Sequence, residues 1–348
     1  MVALKVKLQE NIPLSPLTTL GVGGNARYFI RAESENDVVD AVRFADENGI
    51  ELFVLGGGSN VLISDAGFDG LVLQVAILGI EVVDGKVTAA AGEDWDGFVT
   101  HCVNSDLAGV ECLSGIPGFV GGTPVQNVGA YGQEVAETIS SVRCLDRTTG
   151  EIVTLANADC RFTYRTSIFN STHRDRYIVL SVSYALTRGG APKIVYKDLV
   201  DHFKGRQPTL AETREAVIAI RRSKSMVIDD GDPNARSAGS FFKNPIVEKS
   251  YFEELQSEFE SIPSFEFGDK VKVPAAWLIE HAGFNKGFEL GNAGISSKHT
   301  LALINRGGAS AAELLELKEK IQSAVQEKFG IHLQPEPVFV GFDRRLNV

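Results

Sequence analysis

The chain has 348 residues, 44% hydrophobic and 23% charged, with a formal net charge of −11. That length exceeds what one hydrophobic core usually organises, so two or three domains are expected. The acidic balance argues against general binding to nucleic acid or anionic membranes, but it permits an anionic substrate wherever the local field is positive.

The longest apolar stretch, 71–83, is broken by Gln74 and Glu81 and cannot span a bilayer. No apolar run follows a basic start, so no secretory signal is expected and the location reads as cytoplasmic. Cys102, Cys112, Cys144 and Cys160 form no Cys-x-x-Cys pair, and the six His residues make no His-Glu-x-x-His pattern. Small buried thiols in a reducing compartment are expected, and no metal site is expected.

In chain order, Ser34 and Asp37 read as a capping box opening a helix through Val38, Val39, Ala41, Val42 and Ala45, closed by Asn48-Gly49. Residues 51–55 form a short buried strand that runs directly into Gly56-Gly57-Gly58. Residues 61–64 and 71–75 read as further strands, and Asp84-Gly85 between 81–83 and 86–88 signals a hairpin. A helix over 94–105 buries Trp95, Phe98, Val99, Cys102 and Val103. Residues 115–132 hold six glycines, too many for regular structure. Strands resume at 139–145, 151–155 and 177–186. A second capping box at Thr209 and Glu212 starts a helix that ends in a basic knot of Arg221, Arg222 and Lys224, which reads either as a solvated helix end or as an anion contact. Beyond the acidic turn 229–233, helices at 248–259, 274–282 and 310–329 alternate with short strands, and 338–342 reads as a final strand.

Without strict strand–helix alternation the class is α+β. A doubly wound nucleotide fold is disfavoured, because Gly21-Val22-Gly23-Gly24 is not the Gly-x-Gly-x-x-Gly fingerprint and follows no convincing strand. Gly56, Gly57, Gly58, Ser59 and Asn60 let backbone N–H groups approach phosphate oxygens, yet such a run alone more often marks a tight turn between strands. A second glycine-rich loop carries Pro117, Gly118, Gly121 and Gly122, followed by Gln126, Asn127, Gly129 and Tyr131.

Three islands mix apolar and polar residues as pocket floors do. They are Tyr164-Arg165-Thr166-Ser167-Ile168-Phe169, Gly239-Ser240-Phe241-Phe242-Lys243-Asn244-Pro245 and Gln334-Pro335-Glu336-Pro337-Val338-Phe339. With the two glycine loops, they resemble the flavin-dependent UDP-N-acetylenolpyruvoylglucosamine reductases of bacterial cell-wall synthesis, over about residues 17–341. Arg165, Ser240 and Glu336 follow one another in family order at separations of 75 and 96 residues.

The resemblance implies a vanillyl-alcohol-oxidase-type, two-lobed FAD fold plus a C-terminal α+β substrate-binding domain. The expected boundaries are 1–78 for the first lobe, 79–224 for the second and 225–337 for the substrate domain, with 338–348 returning to the first lobe. Gly56 to Asn60 and Pro117 to Gly122 would line the pyrophosphate of non-covalent FAD, and Gln126, Asn127, Gly129 and Tyr131 the ribityl and flavin side. NADPH is the implied co-substrate and UDP-N-acetylglucosamine-enolpyruvate the implied substrate. No nucleic-acid or membrane partner is expected, and the chain is expected to be a monomer.

Adding hydride to an enolpyruvyl carboxylate pushes a second negative charge into a group that is already anionic. A fixed cation there stabilises the transition state more than the ground state. Arg165 matches that cation, and its planar guanidinium suits a carboxylate. Glu336 would either orient Arg165 or, protonated, donate to the developing charge. Ser240 matches the proton donor to the neighbouring carbon, with Lys243 and Asn244 stabilising the alkoxide or a relay water. Lys224 matches a lysine on the substrate diphosphate, Tyr196 a tyrosine on a loop that covers the substrate, and His299 a nucleotide contact. The stretch 226–238 departs from the family in being longer and acidic, which puts the local path between Lys224 and Ser240 in doubt. The competing readings are a flavin oxidase on the same cofactor fold and a nucleotide-sugar-binding regulator.

Overall fold

The computed structural model describes residues 7–83 and 86–342, which fall into two compact units. The first comprises the described part of Met1–Ile12 with Asn25–Gly58 and Phe68–Val227. The second comprises Pro13–Gly24, Ser59–Gly67 and the described part of Ile228–Val348.

The first unit holds two sheets. In the four-stranded one, Phe68–Val75 runs parallel to both Asn25–Ala32 and Leu52–Leu55, and Gln9–Pro13 forms the far edge. Helix α1 (Glu35–Asn48) lies between two of these strands in sequence. At its start the Ser34 hydroxyl accepts from the Asp37 N–H (3.2 Å) while the Asp37 carboxylate accepts from the Ser34 N–H (2.9 Å). Such reciprocal capping satisfies donors the first turn would otherwise leave orphaned. Gly49 ends the helix at φ 61°, the left-handed region that a residue without Cβ enters freely. Val38, Ala41, Val42 and Ala45 then face Ile30, Leu71 and Leu73 in the core.

The five-stranded antiparallel sheet has the order Glu151–Ala156, Ile139–Asp146, Tyr177–Ala185, Lys86–Ala90, Ile80–Val83. Its last two strands pair with Val83 opposite Lys86, while the expected turn residues Asp84 and Gly85 lie outside the described residues. Helix α2 (Trp95–Asn104), capped by Asp94, buries the five side chains its spacing predicted. Trp95 and Phe98 pack on Tyr184, with ring centroids 6.0 and 4.9 Å away. Fully burying side chains of this size contributes about 1.5–3 kcal/mol each. Two shorter-range elements follow, α3 (Lys197–Phe203) and α4 (Leu210–Ser223), the latter opened by the Thr209–Glu212 capping box.

Elements of this unit absent from the sequence reading include the edge strand Gln9–Pro13, helix α3 and the strand Asn25–Ala32. The strand interleaves Asn25, Arg27 and Arg31 with buried Ala26, Phe29, Ile30 and Ala32, and so lacks a clean apolar run. All four cysteines are free and buried. Burial pushes the Cys102 and Cys160 thiols up to about 12 and raises Cys112 and Cys144 further, which makes them poor nucleophiles.

The second unit contains helices α5 (Lys249–Glu258), α6 (Ala275–His281) and α7 (Ala311–Phe329), with short antiparallel strands between them. The strand Val338–Val340 runs parallel to Val61–Ile63. The division falls at 227, beside the expected 224, and has no break at 78; the segments 13–24 and 59–67, and the described part of 338–348, all expected with the first lobe, are grouped with the second unit. Leu20, Val22 and Leu62 lie in its core, and the Asp65 carboxylate accepts from the first N–H groups of α7 (Ala311 2.8 Å, Ala312 3.0 Å). Among the described residues, no helix is long and apolar enough to cross a membrane.

Candidate active site

In the first unit the two glycine loops meet backbone to backbone. A Cβ placed on Gly57 would lie 2.7 Å from the Gly118 Cα and 3.1 Å from the Phe119 nitrogen, so only glycine allows the approach. The second loop is fixed at both ends. Gly118 C=O accepts from the Trp95 N–H, Val120 N–H donates to Glu93 C=O, and Gly121 N–H donates to Ala91 C=O, each at 2.9 Å. Around this seam there is room, since a Cβ on Gly56 or Gly122 would meet nothing within 4 Å. Pro117 and Gly118 are half-buried beside Gly57, and Gly58 closes the first loop at φ 65°. Ser59 and Asn60, expected in the same cradle, belong to the second unit.

The loop is braced by α4. Asp96 accepts from both terminal nitrogens of Arg214 (2.5 and 2.7 Å) and from the Gly115 N–H (2.5 Å). Burial alone would raise the Asp96 carboxyl. The hydrogen bonds from Arg214 and Gly115, with the charges of Arg214 and Arg221, hold it below the ordinary value instead. Arg221, from the basic knot, is buried and donates to Gly115 C=O (3.1 Å) and Met226 C=O (2.6 Å). This cation is therefore a bolt between α4 and the glycine loop, a role that the sequence left unassigned.

Arg165 sits at the tip of a tight turn. Thr163 and Thr166 exchange backbone hydrogen bonds (2.9 and 3.1 Å), and Arg165 itself adopts φ 55°. Left-handed backbone on a residue with a Cβ persists only where its surroundings impose it. Here the Asn170 amide donates to Arg165 C=O (3.1 Å), and the Ser167 hydroxyl donates to Val125 C=O (2.6 Å). The guanidinium carbon lies 5.5 Å from the centre of the Tyr164 ring. Gly129 packs beside it, for a Cβ there would be 3.2 Å from Arg165 Nη1. Gln126 is half-buried nearby in sequence, while Asn127 is buried with its carboxamide committed to protein groups.

Tyr131, Tyr196 and Lys224 form one cluster in this unit. The two tyrosine rings meet edge to face at 5.4 Å, and Lys224 Nζ lies 5.9 Å from the Tyr131 ring centre. Burial pushes the Tyr131 phenol up, against the pull of Arg221 and Lys224. Lys224 Nζ donates to Asp198 on α3 at 2.6 Å. Burial opposes its charge, but Asp198 and the tyrosines outweigh that and raise its basicity. The expected diphosphate lysine thus carries a carboxylate partner, which sequence spacing gave no sign of.

In the second unit, Ser240-to-Lys243 and Gln334-to-Glu336 form an antiparallel pair. Lys243 N–H donates to Gln334 C=O and Glu336 N–H to Phe241 C=O, both at 2.9 Å, with Phe242 bridged to Pro335. Phe241 and Phe242 are buried beneath the half-buried Ser240 and Lys243. Gly239 turns into Ser240 at φ 69°, and no atom lies within 4 Å of where its Cβ would be. The Asn60 amide donates to Glu336 C=O (3.2 Å), and Val338 N–H donates to Asn60 C=O (3.0 Å). Asn60 therefore holds the glutamate strand in place. Among the described residues the Lys243 ammonium makes no ion pair, whereas Asn244 Oδ1 accepts from Ala275 N–H (2.9 Å) and caps α6. His299 is half-buried in the turn after Ala293–Ile295, and its carbonyl accepts from Ala302 N–H. The acidic stretch 226–238 is ordered by Asp232 and Asn234, which hold Lys298 and Ser297.

A family model described as FAD binding domain matches residues 26–156, and one described as UDP-N-acetylenolpyruvoylglucosamine reductase, C-terminal domain, matches residues 232–340. The fold and these matches define an α+β protein with an FAD binding domain and a reductase C-terminal domain. The chain is 47% identical to the UDP-N-acetylenolpyruvoylglucosamine reductase of Thermobifida fusca, over 95% of this chain and 98% of that relative. It is 46% identical to that of Saccharopolyspora erythraea, over 94% of each. The crystal structure of the Thermus caldophilus reductase shares the fold, with a TM-score of 0.66 at 24% identity over 97% of this chain and 99% of that one. The chain belongs to the family of UDP-N-acetylenolpyruvoylglucosamine reductases.

Proposed function

We propose that the protein reduces the enolpyruvyl ether of UDP-N-acetylglucosamine-enolpyruvate to UDP-N-acetylmuramate in peptidoglycan precursor synthesis, with NADPH as electron donor and non-covalent FAD as carrier. Family membership supports the overall reaction. The observation that carries the reading is the pairing of Ser240-to-Lys243 with Gln334-to-Glu336 inside the segment that matches the reductase C-terminal domain.

The first unit fits FAD. The glycine seam at Gly57 and Gly118 presents bare backbone, and the positions of Gly56 and Gly122 stand open. When bound, FAD supplies a hydride store that accepts from NADPH and donates to the enolpyruvyl methylene carbon. Arg165 holds the carboxylate while its charge grows, and the imposed turn spares it reorganisation at that moment. Glu336 is assigned to the same carboxylate, either as the group orienting Arg165 or, protonated, as a donor. Ser240 gives its proton to the carbon next to the methylene. Lys243, without an ion-pair partner among the described residues, stabilises the alkoxide left behind. Asn244 acts through its cap on α6 and so keeps the Lys243 backbone in register. Lys224 takes the diphosphate, Tyr196 covers the substrate, and His299 stands on the nucleotide side.

Anaerobic titration of the purified yellow protein tests this. NADPH should bleach the flavin, and the enolpyruvyl sugar nucleotide should restore its colour while UDP-N-acetylmuramate appears by mass spectrometry. Rapid reoxidation by air with no response to the sugar nucleotide would instead establish an oxidase. Tight binding of the sugar nucleotide without turnover would establish a regulator.

A further inference from the structure

Asn127 was expected along the flavin, and its side chain is buried and committed to protein groups. It is 1% exposed, and both of its amide hydrogens are spent. Nδ2 donates to Glu134 Oε2 (2.8 Å) and to Thr163 C=O (3.0 Å), and Oδ1 accepts from Ala136 N–H (3.1 Å). A carboxamide has only two hydrogens to give, so none is left for a cofactor. Its backbone stands at φ 46°, a conformation that asparagine adopts more readily than most residues with a side chain.

The target of that amide is informative. Thr163 C=O is the base of the turn whose tip is Arg165, and the same carbonyl accepts from Thr166 N–H. Gly129 joins the two groups physically. Its missing Cβ would lie 2.7 Å from Glu134 Cγ and 3.2 Å from Arg165 Nη1, so the acceptor of Asn127 and the guanidinium flank one glycine. The left-handed backbone of Arg165 needs enforcement, and Asn127 supplies it from the buried side of the turn.

We propose that Asn127, oriented by Glu134, is a positioning residue that fixes the turn presenting Arg165 to the substrate carboxylate. The proposal rests on the reading of Arg165 given above. Asn127→Gly tests it, because glycine accepts φ 46° and only the carboxamide is lost. Misplacing a reacting group by an ångström costs on the order of 10²-fold, so flavin reoxidation by the enolpyruvyl substrate should slow by about 10- to 100-fold. Flavin reduction by NADPH should stay within about twofold, because Arg165 takes no part in it. In an Arg165→Lys background, Asn127→Gly should add less than about twofold, since residues acting through one another are not additive. Without turnover, UDP-N-acetylmuramate should bind the variant more weakly by calorimetry, while UDP-N-acetylglucosamine, which lacks the carboxylate, should bind as before.

If Asn127→Gly does not fold, the isosteric Asn127→Asp keeps the volume, removes both donors and sets a carboxylate against Glu134. Equal loss in both half-reactions, additivity with Arg165→Lys, or equal weakening of the two nucleotides would show a merely structural role and overturn the proposal. An Arg165→Lys protein with unimpaired flavin reoxidation would take down the reading of Arg165 and this proposal together.

Discussion

Gly57→Ala is the sharpest test of the cofactor cradle. The added methyl would lie 2.7 Å from the Gly118 Cα and 3.0 Å from its carbonyl carbon, both backbone atoms, against an ordinary contact of 3.4 Å or more. One loop must therefore move by about 0.7 Å. The second loop is held at Gly118, Val120 and Gly121 by three backbone hydrogen bonds, so the displacement falls on Gly56-Gly57-Gly58. Overpacking of this kind costs about 1–3 kcal/mol, which lowers Tm by roughly 2–10 °C for a body of this size. FAD affinity should fall by about 10- to 100-fold, as expected when phosphate-binding N–H groups are re-aimed by most of an ångström. Gly56→Ala is the counterpart, because its methyl meets nothing within 4 Å. It should leave the apoprotein's Tm unchanged and still weaken FAD if the open space takes the pyrophosphate as proposed. Differential scanning fluorimetry of apoprotein and fluorescence titration with FAD read both quantities. A Gly57→Ala protein with parental Tm and parental FAD affinity would refute the reasoning.

Ser240→Ala should leave flavin reduction by NADPH near normal in stopped flow and slow reoxidation by the enolpyruvyl substrate by about 10²–10⁴-fold, the usual cost of removing a positioned acid. Ser240→Cys should recover part of the rate, and slowing of the NADPH step alone would contradict the assignment. Lys224→Ala should raise KM for the sugar nucleotide by about 1.5–3 kcal/mol in binding with kcat little changed, since a diphosphate contact far from the reacting carbon contributes uniform binding. Tyr196→Phe should act in the same direction more mildly, whereas a collapsed kcat at constant KM would argue against both. Glu212 is held down to about 2 from an ordinary 4.5, first by the Thr209 N–H, then by Arg206 and the Thr209 hydroxyl. A depressed carboxyl contributes stability that is complete above pH 4.5 and lost as pH falls through about 2. Glu212→Gln should therefore lower Tm at pH 6 and converge with the parent at the acid end, and parallel Tm curves over that window would rule this out.

The elements that sequence reading found are those whose signals are local. Ser34, Thr209 and Ser310 each sit three residues before an acidic side chain, and each opens a helix with both reciprocal hydrogen bonds in place. The α2 helix carries its buried face at helical spacing. The strand Asn25–Ala32 was missed because the strand it runs parallel to, Phe68–Val75, lies far along the chain and supplies pairing that its own composition does not advertise. Helix α3 is seven residues long, capped by Tyr196 without a side-chain hydrogen bond, and its stability comes from Leu199 and Phe203 packing beside Val217.

The candidate site divides along the same line. The sequence proposes Arg165, Ser240, Lys243 and Glu336 by residue type, because carboxylate recognition and proton donation need a cation, a hydroxyl and a carboxyl, and few other residues serve. What each polar side chain touches was not legible. Asn127 reaches Thr163 across 36 residues, Arg214 reaches Asp96 across 118, and Asn60 reaches the Glu336 backbone across 276. Asparagine in a glycine-rich loop looks like a ligand contact from sequence, yet Asn60, Asn127 and Asn244 all spend amide groups on backbone. The reason is physical: irregular loops have no strand ladder or helix of their own to hold their shape. A short carboxamide, able to donate and accept at once, makes up the missing hydrogen bonds. Asparagines of this kind hold loop backbone in place, so changing them should alter geometry before affinity.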